Sequence, residues 1–266
     1  MTVKNLAIAV LKSAEPADKV AAAHFMCAQW KNKNVNISNI HDANTPDIPG
    51  RPTLPELVDP RDVKRRRIGT QAGRIALLHA IAHIEFNAID LAADMVARFA
   101  NSPRIADDKR REFISDWVGV CADEARHFTM INERLLELGS HYGTLTAHNG
   151  LWQAALKTSH DLAARLVIAP MVLEARGLDV TPGMIEKLKS VSDVKSAKIL
   201  GIIYDEEIPH VAAGTRWFTH ICDRENSNPE NTFKTLVQTY YKGALKPPFN
   251  DAARSLAGMP TSFYQL

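Results

Sequence analysis

Six residues of this 266-residue chain have the types and spacing of a two-metal site: Glu85, Glu124 with His127, Glu174, and Glu207 with His210. A Glu and a His three positions apart lie on nearly one face of an α-helix. The Glu124/His127 face also carries Trp117, Val120, Cys121, Phe128 and Ile131, and the Glu207/His210 pair is flanked by Leu200, Ile203, Tyr204 and Val211. Glu85 sits among Leu78, Ile81, Ala82, Ala88, Ile89 and Ala92; Glu174 shares its face with Val167, Met171 and Leu178. Carboxylates on apolar faces are costly unless something balances them. Two divalent cations would cancel the four carboxylates, leaving two neutral imidazoles as further donors. Oxygen and nitrogen donors without thiolate suit iron or manganese. Two iron ions are the expected cofactor, with manganese or a mixed Mn/Fe pair as the alternative. The competing reading of the same six residues is a metal-free polar core.

Four helices must carry these groups. The first is expected over about Gln71–Ala100 and the second over about Pro103–Leu138, ended by Gly139. The short turn between them makes the two antiparallel and brings Glu85 and Glu124 to similar heights. A polar connection, Ser140 to Gly150, is long enough to run much of a bundle's height. The third helix is expected from about Leu151 to Arg176, bent by Pro170, with Gly177–Gly183 ending it. To level Glu207 with Glu174, residues 183–191 must form a separate short helix. The fourth long helix then begins near Ser192-Asp193, a plausible cap, and runs to about Cys222. Pro209 should kink it beside His210.

Around this body lie an N-terminal extension (1–69), the bundle (70–224) and a C-terminal part (225–266), read together as one globular unit. Residues 3–13 and 16–31 form two short helices, the second with a stripe of Val20, His24, Cys27 and Trp30. Asn32–Pro60 is a proline-rich strap that wraps the body. A last helix, about Pro229–Lys242, packs through Phe233, Leu236, Val237 and Tyr240, and an irregular tail follows. His79, His83 and Asp90 form a different stripe from Glu85, read as hydrogen-bonded support or interhelical contact. Glu206 is placed with them as outer support.

Composition excludes several classes. A net charge of +2 gives no global drive toward nucleic acid or anionic membrane, and the three scattered cysteines lack CxxC spacing. No secretory signal and no uninterrupted apolar run of membrane-spanning length is evident, so a cytoplasmic protein is expected. Lys64-Arg65-Arg66-Arg67 is the one sharp basic cluster, read as a solvated patch or, in the sharper alternative, a docking patch for nucleic acid, such as modified tRNA, or another acidic partner.

A Glu / Glu-x-x-His / Glu / Glu-x-x-His set is the ligand pattern of carboxylate-bridged di-iron bundles. Asp123-Glu124-Ala125-Arg126-His127 resembles the Asp-Glu-x-Arg-His motif of bacterial multicomponent monooxygenases and their relatives. That resemblance implies that Asp123 orients His210. The second copy departs from it, with Glu206 in place of Asp and Pro209 in place of Arg. Over nearly the whole chain the sequence more closely resembles an uncharacterised bacterial family of ferritin-like proteins. The matching segments are Leu78–Glu85, the Asp-Glu-Ala-Arg-His run, Leu173–Gly183, Asp205–Val211 and Leu245–Asn250. The resemblance implies an all-α, ferritin-like four-helix bundle with a helical N-terminal extension and a C-terminal tail.

Two function classes follow. One is an O₂-dependent di-iron oxidase or hydroxylase of a small organic substrate, with the electron donor open and Tyr204 either a core tyrosine or a redox-active one. The other is a ferroxidase or an iron- or peroxide-handling protein, with a non-catalytic ferritin-like module as a third reading. The long terminal additions favour a covered, substrate-specific pocket over an open storage shell.

Overall fold

The computed structural model describes residues 1–37, 44–63, 67–241 and 243–265. Among these the secondary structure is helical, with no strand beyond two isolated bridges. The chain is all-α. It divides into two compact units, Met1–Trp152 and Gln153–Leu266, the boundary falling inside the 70–224 span.

The first unit is built on α3 (Gln71–Phe99) and α4 (Arg110–Glu137), which pack along each other. Thr70 caps α3 by accepting from the Gly73 amide at 3.0 Å. Gly73 has no substitute, because a Cβ there would lie 1.7 Å from the Arg67 carbonyl oxygen. By length and composition α3 could cross a membrane, with mean hydropathy 1.4 over its most apolar window, but 72% of that window is buried within the protein. The second helix starts later than its sequence suggests. Ser102 folds residues 102–105 into a turn pinned by buried Ile105, and a 3₁₀ turn, Asp107–Lys109, leads into α4.

Two shorter helices, α1 (Val3–Lys12) and α2 (Pro16–Lys31), lie on this hairpin, α1 on α3 and α2 mainly on α4. The stripe expected on α2 needs correction. His24 is exposed and Val20 half-buried, whereas Lys19, Ala23, Met26, Cys27 and Trp30 face inward. The inward face turns toward Lys19 because its ammonium meets the carboxylate of Asp90, and both side chains are fully buried. Lys19 Nζ also donates to the Val10 carbonyl.

Asp90 belongs to a buried polar row on α3: His79, His83, Asn87, Asp90 and Asp94. Each member takes a partner, mostly from the flanking segments. Arg51 from the strap donates to Asn87 Oδ1 at 2.6 Å and stands 3.9 Å from Asp90 Oδ2. Arg98 pairs with Asp94 within α3 and reaches Asp47 of the strap at 3.3 Å. Further strap contacts are Thr45 Oγ1 to the Ala97 carbonyl and the Gly50 amide to the Leu11 carbonyl. The described part of the strap therefore runs along α3 and closes on the 140s loop by the Leu57–Ala147 bridge. Of the basic cluster, residues 64–66 lie outside the described residues; Arg67 is exposed.

The second unit departs from the expected single third helix. A helix α5 (Gly150–Lys157), which straddles the unit boundary, stops at Thr158. Buried Arg165 donates to Thr158 Oγ1 and to the Ala155 carbonyl, and Asp161 caps a new helix, α6 (Leu162–Leu166). A π-helical segment, Val167–Glu174, follows and contains Pro170. Proline has no N–H and its ring clashes with the carbonyl four residues back, so i→i+5 winding relieves a conflict that α-winding would keep.

Gly177–Gly183 does not end the helix as expected: α7 runs unbroken from Ala175 to Ser190, through Pro182, and no separate 183–191 helix forms. Pro182 leaves the Leu178 carbonyl without its helical donor, and Asn250 Nδ2 supplies one at 3.1 Å. The tail is fastened to α7 by more of the same. Arg254 makes two bonds to Asp179 at 2.8 and 2.7 Å, and Arg176 donates to the carbonyls of Lys246 and Pro248. Asp193 caps α8 (Val194–Arg224), accepting from the Ser196 amide, and α8 continues through Pro209. The unit ends with α9 (Pro229–Tyr240), which buries Phe233 and Val237, and α10 (Asp251–Leu256).

Candidate metal centre

Glu85 lies as many residues before the end of α3 as Glu124 lies after the start of α4, so the antiparallel hairpin sets them level. His127 follows on the same face of α4. Its Nδ1 is 3.4 Å from Glu85 Oε2 and 3.5 Å from Glu124 Oε2. One donor atom from each of the three side chains lies within 4.8 Å of the others, and all three residues are buried. Burial pulls the His127 imidazole toward neutrality, but the Glu124 and Glu85 carboxylates close to its Nδ1 outweigh that, raising its pKa to about 11. A proton on His127 and a cation between the carboxylates are alternative ways to balance the same charge.

The donor set fits a hard or borderline divalent metal. Two carboxylates and one imidazole converge where water is excluded, and the nearby thiol is no competitor. Burial and the charges of Asp90 and Glu124 push the Cys121 thiol well above its usual range, and its Sγ donates to the Ile89 carbonyl.

In the second unit, the Glu207/His210 pair stands on α8 with Nδ1 and Oε2 3.6 Å apart, His210 buried and the Glu207 side chain 13% exposed. Glu174 ends the π segment, half-buried, and that segment packs on α8. Pro170 is set against Gly214, one turn beyond His210: a Cβ on Gly214 would lie 2.5 Å from Pro170 Cγ.

The residues assigned outer support separate by what they touch. His83 spends both ring nitrogens on the loop after α4, Nδ1 on the Tyr142 hydroxyl at 2.8 Å and Nε2 on the His148 carbonyl at 3.0 Å. His79 Nε2 accepts from the Gly143 amide at 3.0 Å. Both histidines thus anchor the loop that follows α4. Asp90 is taken by Lys19 and Arg51. Asp123 pairs with Arg126 at 3.3 Å, both side chains partly exposed, and Glu206 is half-buried. The Tyr204 hydroxyl accepts from Asn250 Nδ2 at 2.9 Å, tying it to the tail. Sequence reasoning missed Lys19, Arg51, Asn87 and Tyr142. Only the polar stripe His79–His83–Asp90 could have signalled that cationic partners were needed.

The two loop-anchoring histidines give a pH signature. Burial, mainly, holds both near 4. Unfolded histidine takes up its proton near 6.5, so their contribution to stability is full above that pH and lost as pH falls toward 4. Each is expected to contribute about 2 kcal/mol less at pH 5 than at pH 7. Asp90 works the other way, its carboxyl raised to about 6 by burial despite Lys19 and Arg51. Urea melts at both pH values should therefore show a smaller acid-induced loss in His83→Gln than in wild type. Equal losses would remove His83 from the account.

A protein of Haemophilus influenzae, itself uncharacterised, is 37% identical to this chain over 254 residues, covering 93% of this chain and 87% of the relative. No solved structure matches. A family model matches residues 12–265, and the chain belongs to that family, described as "Protein of unknown function (DUF455)".

Proposed function

We propose that the protein is a ferritin-like di-iron oxidase: Glu85, Glu124, His127, Glu174, Glu207 and His210 hold two iron ions and a small organic substrate is oxidised beside them with O₂. The observation that carries this reading is the convergence of Glu85, Glu124 and His127 in a water-free interior. The Glu207/His210 pair and Glu174 supply a second set of the same chemistry, and six such ligands match the charge of two divalent cations. Iron so held supplies O₂ activation at open coordination positions. The protein's own contribution is to fix the carboxylates on packed helices, keep each imidazole available as a neutral donor once a cation balances the charge, and exclude water. Three buried free cysteines suit a reducing cytoplasm, where ferrous iron is at hand.

Anaerobic titration of the full chain with ferrous iron tests the reading. Two ions per chain are expected, followed on air exposure by O₂ consumption with the iron retained at that ratio. Uptake of many irons per chain would favour the storage alternative. Failure to bind ferrous or manganous ions at all would leave the metal-free polar core.

A further inference from the structure

A second site lies on the first unit, on a different face of α3 from Glu85. Between the strap and the 140s loop is a cavity of about 480 Å³, within the usual size range of small-molecule sites. Arg51, Leu54, Glu56 and Leu57 line it from the strap, His83 from α3 and Tyr142 from the loop. His83 and Glu85, two positions apart, point to opposite sides of the helix, so an occupant here would not reach the metal ligands.

Among the buried side chains beside this cavity the charge count is uneven. Lys19 and Arg51 both approach the single carboxylate of Asp90, Lys19 in direct contact and Arg51 at 3.9 Å. Asp94, the other acid of the row, is engaged by Arg98. Arg51 gives one N–H of its NH2 group to Asn87; its Nε and other amino group have no partner among the described residues, and its side chain is 15% exposed. A largely buried guanidinium with unspent donors, left over after the local acid has been neutralised, calls for an anion.

The other walls narrow the class. Leu54 and Leu57 are exposed apolar side chains at 56% and 41%, and would be covered by an apolar body. Glu56 on the rim disfavours a dianion such as phosphate. His83 Nε2 donates to the His148 carbonyl, so its Nδ1 accepts from the Tyr142 hydroxyl, which keeps that proton from competing for the occupant.

We propose that this cavity binds a small monocarboxylate with a compact apolar body, its carboxylate on Arg51 and its apolar part against Leu54 and Leu57. The occupant would join the strap to α3 and the 140s loop, all elements of the first unit.

Benzoate is a suitable probe, with benzamide as its neutral isostere and inorganic phosphate as the competing anion. Calorimetric titration of the full chain should show benzoate binding in the millimolar range or tighter, with benzamide at least about tenfold weaker. Arg51→Met should weaken benzoate at least about tenfold. Because Arg51 also holds Asn87, a second variant, Leu54→Trp, fills the cavity from an exposed position without touching the buried charges, and should weaken benzoate likewise. No binding of benzoate to folded wild type, equal binding of benzamide, preference for phosphate, or unchanged affinity in a folded Leu54→Trp protein would each overturn the assignment.

Discussion

Glu124→Ala is expected to leave the protein folded and unable to hold metal. Glu124 is fully buried, lies 3.5 Å from His127 and stands across from Glu85 on the neighbouring helix. Its removal takes away a carboxylate that no mobile neighbour can replace, because packed α3 and α4 fix the other donors. Changes outside the ligand shell of a metal site already cost about 10–100-fold in affinity, so loss of a ligand should exceed that. Metal content after purification and ferrous iron titration both read the effect. The fold should survive, since the change also deletes one buried negative charge. The matched control is His83→Ala, which loosens the 140s loop but should keep most of the metal. Retention by Glu124→Ala with loss in His83→Ala would overturn the ligand assignment.

Lys19→Met should be the most destabilising single change in the N-terminal segment. It leaves Asp90 fully buried with Arg51 as its remaining cation, at 3.9 Å. Removing one partner of a buried ion pair typically costs about 3–5 kcal/mol, because the survivor is stranded in a medium that cannot solvate it. The double variant Lys19→Met/Asp90→Leu removes both charges and should recover most of the loss. Denaturant melts of the two singles and the double measure the coupling. Additive losses would mean that the two residues stabilise the protein independently, contrary to the contact between them.

The hairpin of α3 and α4 was legible because local signals and geometry agree: the turn at Asn101–Pro103, the helical spacing of apolar residues, and two glutamates level to within one or two helical turns of each other about that turn. The Glu85–Glu124–His127 trio followed from the cost of a carboxylate on an apolar face. The N-terminal stripe differs from its expectation because lysine is polar and by local spacing outward, and Lys19 is inward only because Asp90, far along the chain, meets it. The end placed at Gly177–Gly183 was wrong for a related reason. Glycine and proline are breakers on a local view, and the donor that lets α7 pass through Pro182 comes from Asn250. Two segments far apart in the chain, Leu173–Gly183 and Leu245–Asn250, prove to fasten to each other in this way. The π segment left no trace in apolar spacing, since Val167–Val172 are apolar and buried all round and offer no polar face to mark the shift.

That wide turn makes the direction of Glu174 depend on winding as well as on sequence. A π-wound residue advances less about the axis than the ~100° of an α-helix, so over the eight residues from Val167 to Glu174 the difference grows to roughly a quarter-turn or more. Rewound as an α-helix of the same length, the segment would turn Glu174 another way relative to α6, although no ligand had been altered. A relative with an ordinary α-helix of equal length here could thus keep every acidic and imidazole side chain and still be unable to aim one of them.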